Sequence, residues 1–276
     1  MKRVLLLAGV AGALVGCGSG LPTPPALPNF NYGTPTSSLS SEQSNASSTA
    51  QSGIGNASGA NGSAVTPTAA PVLADELAAD LPSSALLKSA PSGEAALGSL
   101  AVPSSAQAAS AFRSSGLSVG NNSCITQTDT KVTYSNCTYS GDGFSWTLNG
   151  SIAVAAGSLN WDIQATFSAN SQGVTGQGQF HWYGQLSWTA TTVQGSGRSE
   201  LAVKADGQGQ HVEIAATTGW NANLQIDSTN HCISGGSFEI ARAVEGSASN
   251  GQHVSEAVGW KFTWNGCNNV QVAVGT

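Results

Sequence analysis

Few side chains in this sequence could do chemistry, and the best placed of them alternate along extended segments. Asp162, Gln164, His181 and Tyr183 flank Gln172-Gly173. A tight turn there brings Asp162 near Tyr183 and Gln164 near His181, so a carboxylate, a phenol and an imidazole could exchange protons. His211 and Glu213 form a second pair of the same kind. Both sets fall on polar positions of an alternating pattern, where titratable residues are most simply solvated surface. The chain has no His-Glu-x-x-His, P-loop or calcium-loop motif. "GQGQFHW" is a glycine-rich strand entry with no helix start behind it to cradle a phosphate. His231 and His253 lie beside loops without ligand spacing, so no metal, cofactor or catalytic residue is assigned. A non-enzymatic binding or structural protein is expected, with an enzyme using Asp162 and His181 as the third alternative.

A period of two must position these residues. From residue 118 onward apolar side chains alternate with polar ones. Phe144, Trp146, Leu148, Ile152 and Val154 are even, whereas Leu159, Trp161, Ile163, Ala165 and Phe167 are odd. The set is even again at Phe180, Trp182, Leu186 and Trp188, odd at Leu201 and Val203, and even at Val212, Ile214 and Trp220. Each flip keeps the apolar residues on one face of a sheet whose hairpins have even-length loops. Phe238, Ile240, Val258, Trp260, Phe262 and Trp264 are all even, which demands an odd loop or a bulge around Asn250-Gly251. Val270, Val272 and Val274 close the pattern. The fold expected for 117–276 is mainly β: an antiparallel meander of about ten strands curled into a barrel or half-barrel. A two-layer β-sandwich is the alternative. A membrane-spanning barrel ranks behind both, because Asp162, His181, Lys204, His211, Glu213, Glu239 and Lys261 occupy the polar face.

The seven tryptophans, Trp146, Trp161, Trp182, Trp188, Trp220, Trp260 and Trp264, all take the apolar parity. Core construction is the simplest use of such rings, each of which buries ~150–250 Å². Their second use is to line a site for a lipid or other apolar ligand, which would make the protein a periplasmic carrier.

The beginning of the chain addresses location. Lys2 and Arg3 precede an apolar run that ends at Val15, shorter than the ~20 residues a membrane-spanning helix needs and laid out like a secretory signal. The run closes on Leu14-Val15-Gly16-Cys17, which resembles the lipobox of bacterial lipoproteins. The resemblance implies removal of residues 1–16 and lipidation of Cys17. Because Gly18 and not aspartate follows, it also implies the outer membrane. The implied partners are the membrane, through the anchor, and an envelope protein or apolar ligand.

With Cys17 committed to lipid, Cys124, Cys137, Cys232 and Cys267 remain, an even set in an exported chain without Cys-x-x-Cys. Folding back about Thr130-Lys131 opposes Cys124 to Cys137. Cys232 and Cys267 bracket Asn250-Gly251 almost symmetrically. Those two disulfides are expected.

Composition divides the chain further. Without Lys2 and Arg3, seven of the nine basic residues face fifteen acidic ones, the wrong sign for a nucleic-acid surface. All ten prolines lie at or before Pro103, and all tryptophans at or after Trp146. Residues 18–71 carry one charge, Glu42, and little bulk, so they are expected to form a disordered tether behind Cys17. Residues 72–116 suggest short helices, with Leu73, Leu77 and Leu81 on one stripe and Pro82, Pro91 and Pro103 as breaks.

Overall fold

The computed structural model describes residues 20–39 and 124–275, apart from 129, 142–143, 172–173, 208–209, 228, 231 and 268. The signal, Cys17, residues 40–71, the helical segment 72–116 and His231 lie outside the described residues. Ten strands follow one another: β1 (Ile125–Gln127), β2 (Lys131–Gly141), β3 (Phe144–Ala155), β4 (Ser158–Ser171) and β5 (Val174–Trp188). Then come β6 (Thr192–Gly207), β7 (Gln210–Asp227), β8 (Cys232–Ala248), β9 (His253–Trp264) and β10 (Val270–Gly275). They pair in sequence order in one antiparallel sheet. The order is linear and not cyclic, so the sheet is not closed into a barrel, and one sheet replaces the sandwich alternative.

The hairpins obey the parity of the sequence. β3 and β4 are joined through Ala156-Gly157, Gly157 taking φ 74° as a tight turn requires. The even-to-even pairing of β8 with β9 is met by an odd loop, residues 249–251, in which Gly251 takes φ 84° and donates to the Ala248 carbonyl. β7 and β8 are also even to even, and a bulge opposite Gln225 absorbs the mismatch.

Packing on the apolar face depends on one row. Trp161, Gly184, Gly197 and Trp220 are direct partners across β4 to β7. Trp161 lies over Gly184 and Trp220 over Gly197, where an added β-carbon would overlap either ring. The two indoles meet with ring centroids 6.1 Å apart, and Trp161 meets Trp182 at 5.3 Å. Ring contacts continue from Trp220 through Phe238 and Phe262 to Trp264. Trp161, Trp182, Trp220, Trp260 and Trp264 are buried in this core, and Trp188 packs half-buried against it. Trp146 is half-buried and packs on Phe167 instead.

Both disulfides join the paired cysteines, Cys124 to Cys137 and Cys232 to Cys267, with Cα–Cα distances of 5.1 and 5.6 Å. The centre of the first hairpin differs from the expected one. Ile125 faces Tyr134, a register that continues from Cys124 to Ser135. A bulge with Asn136 at φ 52° then brings Cys137 into reach.

Residues 20–39 correct the expectation of a structureless tether. Thr217, fully buried on the polar face, donates its hydroxyl to the Pro25 carbonyl at 2.6 Å. Leu27 then lies on Gly219, Phe30 on Gly259 and Gly275, and Tyr32 on Gly275. Gly219, Ala241, Gly259 and Gly275 are one row of partners, so the segment lies in a trough of small residues. Past Tyr32 it pairs antiparallel with β10: Gly33 N–H donates to Val274 O at 3.0 Å, and Thr36 exchanges two 2.9 Å bonds with Val272. Leu39 reaches the apolar core. This strap thus wraps the β10 edge and covers its backbone groups. Composition alone misleads here. Pro22, Pro24, Pro25, Pro28 and Pro35 reduce the entropy lost on ordering, and three bulky residues supply the contacts.

Two outcomes follow for stability. Removing residues 18–39 from the chain forfeits about 2 kcal/mol of side-chain burial, a fall in Tm of about 4–8 °C by calorimetry. An unchanged Tm would return the segment to a tether. Gly184→Ala forces Trp161 to move and lowers stability in urea titrations by about 1–3 kcal/mol; a neutral effect would contradict the packing of the indole row.

Candidate functional site

The polar face brings the sequence-derived cluster together. Asp162 pairs with Tyr183 and Gln164 with His181 across β4 and β5. His181 Nε2 lies 2.9 Å from Asp162 Oδ1, and the His181 and Tyr183 rings are 4.3 Å apart. On the next strand, His181 faces Glu200 and Tyr183 faces Arg198. Glu200 is the hub: it accepts from Tyr183 Oη at 3.2 Å and lies 4.0 Å from His181 Nδ1. Arg198 Nε is 2.7 Å from Glu200 Oε1, but its N–H is not aimed at that oxygen, so the contact is Coulombic and not a hydrogen bond. Asp162 is 63% exposed, and water screens its attraction to His181.

Beside Tyr183 and Arg198 the strap walls one side of an open cavity of about 550 Å³. Phe30 and Tyr32 come from the strap, and Tyr183, Arg198, Asn221 and Glu239 from β5 to β8. Glu239 is paired with Lys261 at 2.5 Å, and the Lys261 ammonium stands 5.7 Å from the centre of the Tyr32 ring. Burial raises the Tyr32 pKa, with Glu239 adding to it. Burial likewise raises that of Tyr183; Arg198 opposes the shift, while Glu200 and Asp162 reinforce it. Asp162 and His181 stand outside the cavity lining.

The other titratable groups offer less. His211 bridges Asp206 at 3.3 Å and Glu213 at 3.0 Å through its two ring nitrogens, an arrangement that spreads the ligands apart and does not converge them on an ion. Lys204 beside it is buried, 3.9 Å from Glu213. Asp227, Cys232 and Cys267 place three donor atoms within 4.8 Å of one another, but the two sulfurs are bonded to each other. His253 is exposed at the start of β9. Arg242 lies on the apolar face between Thr218 and Val258, its pKa lowered by burial.

Sequence reasoning missed Glu200, Arg198 and the strap. The parity of β6 is broken at its apolar positions by Gly195, Gly197 and Ser199, which hid the polar residues between them. The signal for the strap was Phe30 and Tyr32, the only aromatic residues in 18–71, two apart as an extended chain needs to aim both one way. Compared with family models, curated proteins and solved structures, the chain finds no match.

Alkali tests the cavity walls. A phenol with a raised folded-state pKa stays protonated in the folded chain after the unfolded chain has ionised. Its contribution is intact below the ordinary value of 10.0 and is lost as pH rises through the folded value. Denaturant-measured stability falls across that window, and less steeply in Tyr32→Phe and Tyr183→Phe. Identical pH profiles in all three proteins would contradict the burial of these phenols.

Proposed function

We propose that the protein is a lipid-anchored lipoprotein of the outer membrane whose β domain binds a ligand in the strap cavity and performs no catalysis. The docked strap carries this reading. Cys17 stands three residues before Gly20, at most about 11 Å of extended chain. The anchor therefore leads directly into a segment packed on the sheet. Residues 40–123 become an insertion between strap and sheet, not a spacer that lets the domain drift from the bilayer.

The arrangement of groups favours binding over reaction. The His181–Asp162 pair lies outside the cavity, and among the described residues no serine, cysteine or lysine side chain is hydrogen-bonded to that pair. The tryptophans pack ring on ring and on glycine backbone, which supports core construction over an apolar-ligand groove. In this account the open sheet curls round its tryptophan face as a half-barrel.

The anchor is tested by labelling cells with radioactive palmitate. The wild-type chain incorporates label, and Cys17→Ser does not and stays unprocessed. Label retained in the serine variant would remove the anchor from the account.

A further inference from the structure

We infer that the strap cavity takes a neutral saccharide, an inference that rests on reading this cavity as the binding site. At about 550 Å³ it falls among small-molecule sites, which span ~300–1,000 Å³. Its walls then narrow the chemistry.

Charge is matched before any ligand arrives. Arg198 is paired with Glu200, and Glu239 with Lys261. An anion would meet the Glu239 carboxylate and would approach a chain of net negative charge. A cation would meet the Arg198 guanidinium and would have to compete with Lys261 for the Glu239 carboxylate. Neither sign gains.

An alkyl chain fits no better. Asn221 is exposed with no side-chain hydrogen-bond partner among the described residues, and it stands in the lining with the heads of Arg198 and Glu239. Covering such groups with hydrocarbon leaves each unsatisfied at a cost of about 1–3 kcal/mol.

What remains is an uncharged ligand that is apolar on its faces and rich in hydroxyls at its rim. Phe30, Tyr32 and Tyr183 offer aromatic surface, whose negative π-face attracts the slightly positive C–H groups of a pyranose ring. The planar amide, guanidinium and carboxylate of Asn221, Arg198 and Glu239 together donate and accept in fixed directions, as vicinal hydroxyls require. The aromatic residues come from both the strap and the sheet, so a sugar ring entering the cavity would contact both.

Saturation-transfer difference NMR on the full mature protein, kept in a sugar-free detergent, tests this. The probes are chitotetraose, cellotetraose and maltotetraose, with trigalacturonate as the anionic and oleate as the apolar comparison. At least one neutral tetrasaccharide should bind, with signal concentrated on ring C–H protons. Its affinity should fall roughly tenfold in Asn221→Ala, the value of one hydrogen bond plus an orphaned partner. Tyr183→Ala should cause a loss of similar size. Asn221 is exposed, so that variant keeps the fold, which unchanged circular dichroism and Tm verify. Absence of binding by all three neutral sugars overturns the inference. So does binding that stays within twofold of wild type in Asn221→Ala and Tyr183→Ala. Tighter binding of oleate or trigalacturonate, lost in those same variants, removes the saccharide but leaves the cavity as a ligand site. Failure of the anchor would appear in palmitate labelling, which this measurement does not touch.

Discussion

Two indoles laid over two glycines hold this sheet together. Trp161 and Trp220 stand on strands separated by two others, and they meet only because Gly184 and Gly197 leave the pleat between them bare. Aromatic rings on a sheet normally stand up and need a second layer to fill the gaps between them. Here they lie down, cover backbone that has no side chain of its own, and hand contact along to Trp182 on one side and Phe238 on the other. Glycine in a strand weakens its intrinsic preference for extended structure. The ring area gained across the pair offsets that, since an aromatic contact of this kind adds to the ordinary burial of apolar surface.

The polar face uses the same device with a different partner. Gly219, Gly259 and Gly275 leave a trough, and the strap fills it with Leu27, Phe30 and Tyr32. Thr217 fastens the near end through Pro25, and β10 fastens the far end through its free edge. One segment therefore caps an edge that offers unpaired backbone groups and walls one side of a cavity. Absence of bulk on the strands is what makes both faces work.

The sheet was legible because its constraint is binary. Each hairpin either keeps the tryptophans on one side or throws them to the other, and the even and odd runs recorded the choice, down to the odd loop at residues 249–251. Pairing of Asp162 with Tyr183 followed from the same symmetry. What stayed hidden was hidden by glycine. In β6 the apolar positions 195 and 197 carry no side chain, Leu186 lying against the first and the Trp220 indole against the second, and that emptiness concealed Arg198 and Glu200. The strap was obscured differently: a composition averaged over 18–71 dilutes two aromatic residues in a long stretch of serine, alanine and glycine. The five prolines of this stretch mark a chain with little entropy to lose, which an argument from charge and bulk does not weigh.

The account turns on whether residues 20–39 are docked in solution. Hydrogen exchange of the full protein, read by mass spectrometry at single-amide resolution, addresses this at Gly33, Thr36 and Val272, whose N–H groups bridge strap and sheet. The account predicts exchange at these amides slowed to the level of the β9 and β10 ladder. Exchange of Gly33 and Thr36 at the rate of an unstructured peptide would contradict it, and with it the cavity.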